Sequence, residues 1–302
     1  MIKSSTSSEL LRDSNFGSKI YWIYFILYLV TTYFILSKVE YFPDFYNYNN
    51  YIVSETALLR FTFEPFSGLL MSYISNAKQY YIVTWILSSF ILFLVPIFLG
   101  KRYFIYSTFL LINPFSIIMF QTPRQFIAYS IFCFLIILNS KYKYFLLFLP
   151  LLFHTITGFF SFFFIFLLNF KKSLFSFFLI IGLFGLYFFT TYVYTFYSSD
   201  ELQRGTGRLF LFLFFIIVIA FLSYKKKNIN IIFLISILIF TLFSYQITPY
   251  AGRIIPFFIP IIVLFLMSSF NKKDSLFVIH GLMLSMLLMS LVVILIGGFG
   301  YG

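Results

Sequence analysis

Along most of the chain, apolar residues come in unbroken runs rather than at helical or strand spacing. The runs lie near 20–39, 80–99, 103–120, 126–140, 173–197, 209–224, 228–248, 254–270 and 275–298. Most reach the length that a helix needs to cross a bilayer, roughly 20 residues. The pattern therefore predicts an all-α, polytopic integral membrane protein with about nine full transmembrane helices. Two runs, 126–140 and 209–224, are short, so their helices are expected to extend into the flanking loops. The run 144–169 is interrupted by His154, Thr155, Thr157 and Gly158. It is predicted to be a re-entrant hairpin of short helices with His154 near its turn. Irregular backbone at membrane depth survives only when buried in protein or lining a wet cavity, so this hairpin should line the site. The organisation expected is a single transmembrane domain over 1–302, with a Ser-rich cytoplasmic tail at 1–19 and a large outer loop at 40–79. Within that loop Glu64-Pro65 suits a helix start, Pro lying just inside the first turn. A short interfacial helix is predicted there, over 64–76. The run beginning at Ile20 is too long for a signal-peptide core and reads as an uncleaved first span.

Composition agrees with this pattern, with 61% hydrophobic and only 10% charged residues. The net charge of +12 does not point to nucleic acid, because the lysines sit in short clusters between apolar runs. If 144–169 enters and leaves on one side, 12 of the 14 lysines fall on that side, which the positive-inside rule makes cytoplasmic. The N-terminus is then inside. Arginine segregates the other way: Arg60, Arg124, Arg204, Arg208 and Arg253 fall outside, as do most acids, among them Asp44 and Glu64. Arg grips phosphate bidentately and keeps its charge when partly desolvated. The lone cysteine, Cys133, lies in an apolar run and can form no internal disulfide.

The sequence holds no phosphate-binding Walker loop, dinucleotide fingerprint or nucleophile elbow, and two histidines with one cysteine do not make a zinc site. No metal and no cofactor are expected. What remains is a set of polar residues on the outer side. Gln121-Thr122-Pro123-Arg124-Gln125 joins two spans, and its Pro would open a helix that turns Arg124 and free N–H groups toward an anion. Arg204-Gly205-Thr206-Gly207-Arg208 pairs two arginines with glycines that let backbone N–H groups approach a phosphate. Tyr250-Ala251-Gly252-Arg253 repeats the small-residue-then-Arg pattern. Arg124, Arg204, Arg208 and Arg253 are thus candidate diphosphate ligands; each alone would equally serve lipid headgroups or structure. Tyr46 and Tyr51 stand among amides and carboxylates in the outer loop, a surface that suits sugars or an ordinary interfacial aromatic belt. With Gln125 they are candidate glycan ligands. His154, an ionisable residue inside a hydrophobic run, is a functional candidate by default. The alternative is a hydrogen bond within the bundle.

The order Asp44-x-Tyr46-x-x-x-x-Tyr51, Glu64-Pro65-Phe66, Arg124-Gln125-x-x-Ala128, Phe153-His154, Gly252-Arg253 resembles the EpsG family of polytopic proteins, which groups with the Wzy-type polysaccharide polymerases. Many relatives carry a Lys after the His, where this chain has Thr155. The resemblance implies a GT-C-like, metal-independent glycosyltransferase at the outer face of a bacterial cytoplasmic membrane. It would join undecaprenyl-diphosphate-linked glycan donor and acceptor among the membrane lipids, with a chain-length regulator as a further partner. The leaving diphosphate calls for Arg at the outer interface. The acceptor hydroxyl calls for one base, His154 or a carboxylate, Glu64 or Asp44. A lipid-linked oligosaccharide flippase, an O-antigen ligase and a membrane acyltransferase are the competing readings. The flippase would predict charges at mid-membrane and internal repeats, and neither is visible.

Overall fold

The structure is a computed structural model. It describes residues 14–42, 44–99, 104–112, 119, 121–138, 142–168, 181–182, 231–247 and 251–269. The expected spans at 209–224 and 275–298, and nearly all of 173–197, lie outside the described residues, as do residues 1–13 of the expected tail. The described elements are helical and include no strand. They are α1 (Ser14–Leu36), a 3₁₀ turn (Val39–Tyr41), α2 (Phe45–Val53), α3 (Ala57–Arg60), α4 (Pro65–Ser72), α5 (Ala77–Leu99), α6 (Phe104–Ile112), α7 (Pro123–Ile137), α8 (Tyr142–Leu146), α9 (Phe148–Phe153), α10 (Thr155–Leu168), α11 (Ile231–Ile247) and α12 (Ala251–Ser269).

The membrane architecture expected from the apolar runs is corrected here. Among the described residues no helix is long and apolar enough to cross a membrane. Apolar runs do not report where a helix breaks. The run 126–140 yields α7, of fifteen residues, which stops at an extended Leu138. The run 144–169 folds as three helices of five, six and fourteen residues rather than as a hairpin of two. These helices fall short of the roughly 20 residues that a bilayer core demands. The nine spans and the re-entrant hairpin are therefore not the architecture of the described helices.

The chain divides into two compact units, one of residues 2–162 with 271–301 and one over Phe163–Phe270. In the first, α7 is the centre. Twelve of its residues are buried, including Phe126, Tyr129 and Phe132, and it packs on α5 and α9. Burial on every face explains why its sequence shows no amphipathic stripe. The Tyr106 hydroxyl donates to the Cys133 carbonyl at 2.8 Å, which ties α6 to α7 beside a fully buried thiol. The outer-loop region folds into α2, α3 and α4. On α2, Tyr48 and Ile52 share one face at i, i+4 spacing and are buried, while Tyr46 is 70% exposed. Gly68 lets α4 close on α3, since a Cβ there would meet the Ala57 carbonyl oxygen at 3.1 Å. In the second unit α11 packs on α12. Phe164 stacks on Phe257 at 5.8 Å and meets Phe258 edge-on at 5.0 Å. Residues 255–263 of α12 are buried despite Pro256 and Pro260 inside the helix. Each proline removes one backbone donor and bends the helix.

Candidate functional site

The site lies in the first unit, where three segments far apart in sequence meet around Glu64. The first segment is the start of α4. Pro65 holds the N1 position, and Glu64 stands at the N-cap, where its side chain makes no bond to its own helix. Its carboxylate turns instead to the other two segments. Oε1 accepts the backbone N–H of Thr155 at 2.8 Å. Oε2 pairs with Nη1 of Arg124. Thr155 opens α10, so its N–H is one of the donors that a helix start leaves without an intrahelical partner. Arg124 is the second residue of α7, behind Pro123 at N1. Glu64 thus clasps the N-termini of two helices, where a negative charge is favoured.

Arg124 is fixed on three sides. Its Nε donates to the Tyr48 hydroxyl at 3.1 Å. The guanidinium lies over the Phe61 ring at 4.5 Å and beside Tyr48 at 5.7 Å. Burial opposes its charge, but the pull of Tyr48, Glu64 and Tyr80 outweighs burial, so Arg124 is shifted upward and stays a cation. Burial is also the main influence on Tyr48, and the Asp44 and Glu64 charges add to it against the pull of Arg124. The Tyr48 phenol is raised and stays protonated. The side chains of Arg124 and Glu64 are only 22% and 11% exposed. A pair so enclosed contributes less to stability than its Coulomb energy suggests, because desolvation offsets the attraction. Such pairs are frequent at functional sites.

The third segment is the break between α9 and α10 at His154. Its backbone is extended, at φ −156° and ψ 110°, and its N–H donates to the Pro150 carbonyl at 2.9 Å. Gly158 N–H returns a 2.8 Å bond to the His154 carbonyl. The residue is 7% exposed. Its Nδ1 accepts the Thr157 N–H at 3.2 Å and lies 2.8 Å from the Thr157 hydroxyl. A backbone N–H can only donate, so Nδ1 is an acceptor and the neutral ring carries its proton on Nε2. In this arrangement the Nδ1 lone pair is engaged. Ser67 on α4 donates to the Phe153 carbonyl at 2.7 Å, and Phe66 meets Phe153 edge-on at 5.5 Å.

The structure therefore brings Glu64 and Arg124 together and places the His154 backbone next to both, through Thr155. Gln125 is buried and accepts from the Thr122 hydroxyl at 3.1 Å. Tyr51 packs edge-on against Phe61 at 5.5 Å. Asp44 stands half-buried at the N-cap of α2, and its carbonyl accepts the Tyr48 N–H at 3.0 Å. Tyr46 is exposed on the opposite face of α2. Arg253 is the third residue of α12, in the second unit, and Arg204 and Arg208 lie outside the described residues. Among the described residues no group of three His, Cys, Asp or Glu gathers. Sequence reasoning did not single out Tyr48, Phe61, Ser67 or the Thr155 N–H. Only Tyr48 left a signal, sharing with Ile52 the i, i+4 face of a short helix.

The model of the EpsG family matches residues 15–301. No curated protein and no solved structure matches the chain. The match covers nearly the whole chain and includes all three segments that meet at Glu64. The chain thus belongs to the EpsG family, a family of Wzy-like polysaccharide polymerases.

Proposed function

We infer that this polymerase is a glycosyltransferase whose donor is a glycan on undecaprenyl diphosphate and whose acceptor is the free sugar end of a second lipid-linked repeat. It would act at the outer face of a bacterial cytoplasmic membrane. The acceptor oxygen bonds to the anomeric carbon, the bond from that carbon to the diphosphate oxygen breaks, and the hydroxyl proton passes to a base of the site. Undecaprenyl diphosphate leaves. The observation that carries this reading is the clasp at Glu64. It collects Glu64-Pro65-Phe66, Arg124-Gln125 and Phe153-His154 around one buried guanidinium. Charge develops on the departing diphosphate, and a preorganised cation beside it lowers the barrier. Arg124 is that cation, in place of a divalent metal, and His154 supplies an Nε2–H donor to a phosphate oxygen. Large apolar side chains exposed on α1 and α5, among them Trp22, Ile26, Phe34 and Phe90, support a lipid setting.

The test is the length distribution of lipid-linked glycans in cells lacking the protein. Single repeats support the polymerase reading. Long unattached chains would make the protein a ligase instead, and normal chains would remove both. Arg124→Ala, Arg204→Ala, Arg208→Ala, Arg253→Ala, Asp44→Asn, Glu64→Gln and His154→Ala belong in the same complementation assay.

A further inference from the structure

The Glu64 clasp leaves two polar groups unused. Tyr80 is fully buried on α5, and among the described residues its hydroxyl has no hydrogen-bond partner. It stands within electrostatic reach of Arg124, Glu64 and Tyr48, with Ser67 beside it but not closing a bond. Its ring centroid is 5.4 Å from that of Tyr48. A buried hydroxyl without a partner carries a desolvation cost and calls for an explanation. Arg124, for its part, spends Nε on Tyr48 and Nη1 on Glu64, while Nη2 makes no hydrogen bond among the described residues. Around Glu64 there is thus an excess of donors: two arms of a guanidinium, the first N–H of α10 and two phenols. Helix starts and guanidinium groups are also the donors that hold phosphate.

We propose that the Glu64 carboxylate is the resting occupant of a phosphate seat made by Arg124, the Thr155 N–H, Tyr48 and Tyr80, and that one substrate phosphate displaces it. This rests on the reading above and deepens it, because it removes Glu64 from the list of bases and makes it a positioning residue. With the seat empty of substrate, Glu64 neutralises Arg124 and keeps the α4, α7 and α10 termini together. When a phosphate arrives, its oxygens take over the guanidinium and the Thr155 N–H, and Tyr80 donates to a third oxygen. The carboxylate must then leave, since two anions cannot share these donors at close range.

The experiment measures inorganic pyrophosphate binding to the purified full chain in detergent, by calorimetry. A second arm uses phosphatidylcholine vesicles with or without phosphatidylglycerol, which separates a soluble diphosphate from a lipid headgroup as the source of the phosphate. Glu64→Gln removes the competing charge and keeps an acceptor for Thr155. Phosphate binding in at least one arm should tighten about 10- to 100-fold, the scale of a charged hydrogen bond. Adding Arg124→Met should erase that gain. Tyr80→Phe deletes a hydroxyl without a hydrogen-bond partner among the described residues, so the fold should be kept, and it should weaken wild-type binding about tenfold. Unchanged affinity in Tyr80→Phe, no gain in Glu64→Gln in either arm, or a gain that survives Arg124→Met would each overturn the proposal. In turnover, Glu64→Gln should lower KM for the lipid-linked donor with kcat retained, whereas loss of kcat at unchanged KM would make Glu64 the base. Pyrophosphate binding needs no polymerisation, so the seat and the polymerase reading fail separately.

Discussion

Arg124→Met should destabilise the protein by about 3 kcal/mol, because it strips a buried carboxylate of its cation and leaves the Glu64 charge with a single donor. Glu64 is only 9% exposed, so water cannot replace the lost partner. The guanidinium also sits 4.5 Å over Phe61, a contact that contributes about 0.5–1 kcal/mol of the total. Glu64→Gln alone should cost less, about 2 kcal/mol, since Arg124 is 22% exposed and keeps Tyr48. Independent effects would sum to about 5 kcal/mol. The double variant should instead cost only about 2–3 kcal/mol, because neither charge is left alone and the Gln carbonyl still accepts the Thr155 N–H. Denaturant unfolding of the four proteins in one detergent measures the coupling. A double variant whose cost equals the sum of the singles would show that the pair does not interact in solution, and the clasp argument would collapse. Polymer length decides the second half of the argument. The double variant should make no long chains despite its partial recovery of stability, since the cation is gone. Long chains from the double variant would exclude Arg124 as the diphosphate ligand.

The His154 ring and the break that holds it give further tests. His154→Asn keeps an acceptor near the Nδ1 position for Thr157 but loses the distal donor, so it should fold normally and lose long glycans. His154→Gln reaches the Nε2 position and should retain part of the activity with lower stability; the reverse ranking in the glycan ladder would contradict the donor role. Gly158→Ala would drive a Cβ to 2.5 Å from Leu151 Cα, and it should cost about 1–3 kcal/mol and lower the unfolding midpoint. An unshifted midpoint would mean that the α9–α10 junction is looser than it stands here. Polymerisation in membranes should survive chelation by EDTA if guanidinium takes the place of a divalent cation, and loss of chains restored by added magnesium would refute that.

Side-chain chemistry was legible in the sequence where it depended on residue type, and illegible where it depended on backbone. Glu64, Arg124 and His154 stand out as ionisable residues at the edges of apolar runs, and their order in the chain carries the family resemblance. What they do to one another was not visible. The Glu64-Pro65 pair marks a helix start but does not say where the carboxylate goes, and it bonds two other helices, at Thr155 on α10 and Arg124 on α7. The partner at Thr155 is a main-chain N–H, and any residue but proline would supply it. Hydropathy failed for a related reason. The polar residues from His154 onward marked one break in 144–169, but the turn at Leu147 lies within an unbroken apolar stretch, so two helices were expected where three form. A break inside an apolar run leaves main-chain donors and acceptors that must be satisfied locally. Here a 2.8 Å bond from Gly158, a 2.7 Å bond from Ser67 and the Glu64 carboxylate do so. Two of these three groups, Ser67 and Glu64, come from the start of α4, outside the run. The same break exposes the helix N-terminus on which the proposed phosphate seat depends. Closing the break by restoring a continuous apolar helix would be expected to stabilise the fold and remove the function together.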